Sequence, residues 1–248
     1  MSGHSKWAQI KRKKAVLDQK RGKVFTKLIR EITVATRLGG GDQDSNSRLR
    51  QAVFAAKAAN MPAENVKKAI QRGTGELPGV TYEEALFEGY GPGGVAIMIF
   101  VTTDNRNRTV ADLRHLMAKY GGNLGEQGCV SWVFYKGGFI TVDKDGVDEA
   151  SLLEAVMREG GDDVEETDDV FEITSSPENL NSIRDELQRR GFVVKSAELA
   201  MIPTNTVRVE GNDARMLLSL MDELEDHDDV QSVSSNFDVE DALMVEER

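Results

Sequence analysis

Cysteine and histidine are scarce, with one cysteine and three histidines in 248 residues. No internal disulfide can form, and no Cys or His spacing suits a zinc site. No run of eighteen apolar residues occurs, so there is no candidate membrane span. The N-terminus also lacks an apolar stretch ending at a small-residue cleavage site. These absences predict a cytoplasmic protein of a reducing compartment without membrane association. Catalytic groups are as thinly provided. His4, His115 and His227 fall in a basic arm, a helical segment and an acidic turn, with no nucleophile or second ligand at a useful spacing. The turn "EDHDDV" at 225–230 lacks the alternating oxygen ligands and the glycine of a calcium loop and is expected to be solvated. Cys129, in "GCVSWVF", reads as a small buried hydrophobe on a strand rather than a reactive thiol. The expectation is a non-enzyme with no catalytic, cofactor-binding or metal-binding residues.

Charge is abundant and unevenly placed. The formal net charge is -11, yet the chain through Gly75 holds 17 Lys and Arg against 5 Asp and Glu, and the remainder holds 14 against 37. A basic module on an acidic body suits a polyanionic partner at the first part, while the second part resists nonspecific adhesion to the same polyanion.

Within the basic module, residues 4–23 carry eight Lys and Arg against one Asp and few apolar residues. This composition predicts an arm that orders on binding. Lys6, Lys11, Arg12, Lys13, Lys14, Lys20 and Arg21 are its candidate phosphate contacts. Trp7 is a candidate for stacking on a nucleobase, or equally for tucking against the helical core. From Lys23 to Leu38 the period becomes helical: Phe25, Leu28, Ile29, Ile32 and Ala35 share one face, and Lys23, Lys27, Arg30 and Arg37 share the other. One face is core, and the cationic stripe is expected to turn away from it toward phosphates. Gly39 to Gly41 end this helix. A second is predicted at 47–59 and a third at 62–72, with Pro62 in the first helical position and Gly73 as the C′ residue. Arg48, Arg50, Lys57, Lys67, Lys68 and Arg72 lie around the shared core. The tight "ANMPA" connection also permits a helix-turn-helix in which Asn65, Lys68 and Gln71 face base edges. A merely solvated surface is the ordinary alternative, and it is favoured for the third helix, where Glu64 interrupts the cations.

Beyond Tyr82 the period shifts to that of strands. Gly89, Gly91 and Gly94 satisfy the spacing of a dinucleotide loop, but "VAIMIFVTT" follows them instead of a helix, so a hairpin is expected. Next come strand 95–102, helix 108–120 and strand 130–135. A complete β-α-β-β-α-β set occupies 138–200, and strand 206–210, helix 212–225 and strand 230–237 close the chain. Pairing the two outer sets predicts an α+β protein: a small N-terminal three-helix domain followed by two ferredoxin-like α+β domains, one discontinuous. The expected boundaries are 1–78, then 79–136 with 204–240, and the inserted 137–203. In "TDNRNRT", residues 103–109, Asp104 or Asn105 suffices as a helix cap, while Arg106 and Arg108 at the helix start are candidate phosphate contacts.

Several blocks together resemble the YebC/PmpR family: "GHSKW" at 3–7, "RGKVFTKLIREI" at 21–32, "NMP" at 60–62, "EGYGPGGVAI" at 88–97, "TDNRNRT" at 103–109, "GGNLG" at 121–125 and "MIP" at 201–203. Cys129 stands where that family is expected to carry Ser. The resemblance implies a helical N-terminal domain and two α+β domains. It also implies a cytoplasmic, probable DNA-binding transcriptional regulator; mitochondrial relatives are described as translational activators, and bacterial ones have been linked to ribosome function. The cation-rich blocks place that role on Lys6, Arg21, Lys23, Lys27, Arg30, Arg106 and Arg108.

The combined expectation is a non-enzymatic nucleic-acid-binding regulator of gene expression. Its target is duplex DNA, or ribosomal RNA if the protein is instead a ribosome-associated translation factor. The acidic body is available to a protein partner, and the absence of a heptad seam points to a monomer.

Overall fold

The computed structural model describes residues 19–239 apart from Asp168. The arm through residue 18, with Lys6, Trp7, Lys11, Arg12, Lys13 and Lys14, lies outside them. The described chain divides into two compact units, residues 135–202 and the remainder.

The first unit opens with three helices, α1 (Gln19–Gly39), α2 (Ser47–Ala58) and α3 (Ala63–Thr74). Their apolar faces close a core of Ile32, Ala35, Leu49, Val53, Ala56 and Ala69. Asn46 begins α2 and ties it to α1. Its side-chain oxygen accepts from the Leu49 N–H at 3.0 Å, and its amide donates to the carbonyls of Ala35 and Gly40 at 2.8 Å each. Asn60 ends α2 in the left-handed conformation, φ 56°. The Met61 N–H then returns to the Ala56 carbonyl at 2.9 Å, a Schellman closure with Met61 buried behind it.

The sequence places Gly73 after the last turn of α3; instead the helix continues to Thr74 and Gly75 supplies the left-handed cap, φ 85°. Gly73 serves close packing. A Cβ there would lie 2.5 Å from the Thr36 side chain and 2.7 Å from the Thr33 carbonyl of α1. Gly73→Ala is therefore expected to push α3 off α1 and lower stability by about 1–3 kcal/mol, read from urea unfolding of the full chain.

The rest of this unit is built on an antiparallel sheet of β1 (Glu83–Tyr90), β2 (Ala96–Thr103), β3 (Asn123–Leu124) and β9 (Val230–Ser235), in the order β3-β1-β2-β9. Helices α4 (Arg106–Lys119) and α7 (Gly211–Asp226) cover one face, packing Leu113, Leu217 and Met221 on Ile97, Ile99 and Val233. The glycine spacing is a hairpin turn, as expected: Gly93 and Gly94 take φ 71° and 75°, and the Gly91 N–H bonds the Val95 carbonyl at 2.8 Å.

Two expected strands differ. Residues 131–133 form a 3₁₀ turn rather than the middle of a strand. Only Val207–Arg208 (β8) of the expected 206–210 strand is extended, pairing in parallel with β10 (Phe237–Asp238). The edge place expected for 130–135 is held by the short β3 against β1, and the central place expected for 206–210 is held by β1. A Gly-Pro-Gly-Gly corner brings β1 onto β2 with almost no loop to close, whereas 206–210 would have to return after the whole inserted segment. The ferredoxin-like arrangement is thus present in permuted form.

The second unit holds β4 (Phe134–Asp143), α5 (Glu149–Arg158), β5 (Gly161–Glu166), β6 (Val170–Ser175), α6 (Leu180–Arg189) and β7 (Val194–Pro203). The strand order is β5-β6-β4-β7, the order of a ferredoxin-like sheet, and β4 and β5 both pair antiparallel with β6. Ile140, Val142, Phe171 and Ile173 meet Leu152, Val156, Ile183 and Leu187 of the two helices. No described helix in either unit is long and apolar enough to cross a membrane.

Candidate nucleic-acid interface

The cations of the helical module fall into two sets with different surroundings. The first is the α1 stripe. It does turn away from the helical core, but it meets the acidic turn after α7 instead of solvent. Lys23 Nζ donates to the Asp226 carbonyl at 3.0 Å and stands 3.7 Å from the Asp226 carboxylate. Lys27 Nζ donates to the Glu225 carbonyl. Arg30 Nη1 donates to the carbonyls of Asp228 at 2.6 Å and Thr102 at 3.1 Å and to Asp229 Oδ1 at 2.8 Å. The Arg30 guanidinium also lies 5.4 Å from the centre of the Tyr82 ring. Carbonyls at the C-terminal end of α7, where the helix supplies no further N–H, and the acids beyond it make this a cation-seeking surface.

Asp229 is the centre of that junction and corrects the expectation of a solvated turn, since its side chain is only 3% exposed. It accepts from Arg30 of α1, from Arg108 Nη2 at 2.8 Å and Thr109 Oγ1 at 2.7 Å on α4, and from Thr103 Oγ1 of β2 at 3.0 Å. Burial alone would push its carboxyl up. The hydrogen bonds from Arg108, Thr109, Arg30 and Thr103 overcome that and hold it well below the usual carboxylate range. Arg108, which also bonds Asp104 at 2.8 Å, is held in its charged form by the same carboxylates.

Arg48 is likewise engaged. It donates to Glu31 at 2.7 Å and to Glu84 of β1 at 3.0 Å, and these bonds to Glu84 and Glu31 raise its pKa.

The second set faces outward. Arg37, Arg50, Lys57, Lys67, Lys68 and Arg72 are exposed. Arg50 donates to the backbone carbonyls of Gln43 at 2.9 Å and Asp44 at 2.6 Å, and Lys68 makes an open contact of 3.7 Å with Glu64. Lys67, Lys68 and Arg72 are exposed along α3, with Lys68 and Arg72 one turn apart and Gln71 half-buried. Arg106, at the start of α4, is exposed and lies 5.6 Å over the Phe87 ring. Asn105 caps that helix, accepting from the Arg108 N–H at 3.1 Å. Lys20 and Arg21 lie in the first turn of α1.

Residues 5–76 match the TACO1/YebC protein N-terminal domain, and residues 82–237 match the TACO1/YebC second and third domain. The chain belongs to the TACO1/YebC family. Curated relatives include a probable transcriptional regulatory protein of Pelotomaculum thermopropionicum, 54% identical over 97% of this chain and 100% of its own. One of the same description from Syntrophus aciditrophicus is 51% identical over 98% of both chains. The crystal structure of a conserved hypothetical protein from Aquifex aeolicus superposes with a TM-score of 0.88 at 47% identity, covering 95% of this chain and 98% of that one.

A further site in this TACO1/YebC chain escaped the sequence. Glu88 on β1 is 3% exposed, and its carboxylate accepts the N–H groups of Gly128 at 2.8 Å and of Val130 and Ser131 at 2.9 Å each. The loop it fixes presents Trp132, 70% exposed, with the indole N–H on the Cys129 carbonyl at 3.0 Å; the Tyr90 hydroxyl donates to that same carbonyl at 2.9 Å. Reading 130–135 as a strand concealed both residues, because strand alternation gives Trp132 no reason to stand out. Cys129 is half-buried, and desolvation and the Glu88 charge push its thiol up, the behaviour expected of an inert cysteine. Among the described residues no group of His, Cys, Asp or Glu is placed to hold a metal.

Proposed function

We propose that this protein is a non-enzymatic, nucleic-acid-binding regulator of gene expression that contacts duplex DNA through its N-terminal module. The observation that carries the reading is the outward set of cations on a module with 17 Lys and Arg against 5 acids. Lys67, Lys68 and Arg72 are exposed along α3, with Arg37 and Lys57 exposed on the neighbouring helices. Phosphates neutralise such a set and release the counterions it would otherwise hold. The relatives' description as probable transcriptional regulatory proteins favours DNA as the target. In this reading the basic arm adds further phosphate contacts, and the acidic body sets orientation and is open to a protein partner.

Titration of the full chain with duplex DNA across a salt series tests it. Binding at about 50 mM salt should weaken linearly in log K against log salt. The Lys67→Ala, Lys68→Ala, Arg72→Ala variant should lower that slope by about 2 to 3. Its thermal transition should be unchanged, because these side chains are exposed. Absence of binding overturns the proposal. Binding of structured ribosomal RNA in preference to DNA would replace it with a translation factor.

A further inference from the structure

The cations that the sequence assigns to phosphates on α1 are held by the protein's own oxygens. We infer that the acidic turn at 225–229 competes internally for the α1 stripe, so that nucleic acid gains the contacts of Lys23, Lys27 and Arg30 only when α1 leaves the turn. This regulation rests on the nucleic-acid reading proposed above.

The chemistry on the two sides is matched. Lys23, Lys27 and Arg30 donate to the carbonyls of Asp226, Glu225 and Asp228 and to the carboxylate of Asp229. These anionic and strongly polar oxygens occupy the donors that a phosphodiester would use. A proton donated to the turn is not available to a phosphate, so docking on the turn competes with full engagement of a phosphodiester by the stripe.

The docked arrangement is also built for release. The helical core around Ile32 and Leu49 and the sheet core around Ile97 and Leu217 are separate clusters. Charged side chains bridge them: Lys23, Lys27 and Arg30 on the turn and on β2, and Arg48 on Glu84. The half-exposed Lys23–Asp226 contact is screened by salt, whereas the buried Arg30–Asp229 pair is screened much less and yields to a polyanion that offers Arg30 a new partner.

Two details lower the cost of opening. Arg30 meets Thr102, Asp228 and Asp229 through Nη1, and its buried Nε has no partner. A phosphate can take both edges of that guanidinium. Asp229, once Arg30 departs, keeps Arg108 at 2.8 Å and the hydroxyls of Thr103 and Thr109, so no buried charge is stranded.

Locking the junction tests the inference. Lys23 and Asp226 are both about half exposed, so Lys23→Cys and Asp226→Cys in a Cys129→Ser background can be joined by a short, reductant-cleavable bis-maleimide. The joined protein is expected to bind a short DNA duplex about tenfold more weakly than the same sample after cleavage, through loss of the stripe's phosphate contacts. Equal affinity before and after cleavage overturns the inference while leaving the nucleic-acid reading standing. Failure of the cleaved sample and of the wild type to bind DNA overturns that reading and this inference with it.

A second variant separates competition from obstruction by the linker. Asp226→Asn with Asp228→Asn should raise affinity several-fold. Asp162→Asn with Asp163→Asn, two exposed acids of β5, removes the same charge elsewhere. If this control raises affinity as much as the turn variant, general repulsion explains the effect and the latch is refuted.

Discussion

Asp229→Asn is expected to lower the melting temperature of the full chain by about 10 °C. The Asp229 side chain is 3% exposed and joins α1, β2 and α4 through Arg30, Thr103, Thr109 and Arg108. An amide keeps the shape but removes the charge and turns an N–H₂ toward donors. Arg30, itself only 13% exposed, then loses its carboxylate. Breaking a buried pair by neutralising one member costs about 3–5 kcal/mol.

The same residue sets a pH dependence. The folded carboxyl is held below its unfolded value of about 3.9. Its stabilisation is therefore fully present above that value and is lost as pH falls from there toward the folded pKa. Calorimetry from pH 6 down to 2.5 should show a steep fall for the wild type at the acid end and a flatter one for Asp229→Asn. Parallel curves would show that Asp229 does not carry the acid sensitivity.

Glu88→Ala should cost about 3 kcal/mol, measured by urea unfolding. Three buried or half-buried backbone N–H groups, those of Gly128, Val130 and Ser131, accept no substitute when the carboxylate is removed. Loosening of this loop should also show as a change in Trp132 fluorescence well before global unfolding, read in a Trp7→Phe background where Trp132 is the remaining indole. A variant that unfolds at the wild-type urea concentration with unchanged fluorescence would mean that water replaces the carboxylate at no cost.

Much of this architecture was legible because it is written locally. The helical period of 23–38, the Pro and Gly punctuation around 60–75 and the uninterrupted "VAIMIFVTT" each act over a few residues, and the corresponding elements are present. The errors lie where distant segments compete for one place. Residues 130–135 have strand composition, but Asn123–Leu124 already holds the edge of the sheet beside β1 and Glu88 draws 128–131 into a turn. Gly73 reads as a cap because its closeness to Thr33 and Thr36 depends on α1 crossing α3.

The functional surface divides in the same way. The sequence by itself determined that a basic module precedes an acidic body, since charge is a sum over residues and needs no coordinates. It also determined the three-helix and α+β organisation, through periodicities of 3.6 and 2. Only the tertiary structure decided which cations are exposed. On a helical wheel Lys23, Lys27 and Arg30 look as available as Lys67 and Lys68, because a wheel distinguishes core from not-core and knows nothing of a second surface. That surface is the end of α7, some two hundred residues away, whose carbonyls and Asp229 take up the α1 stripe and leave α3 facing solvent.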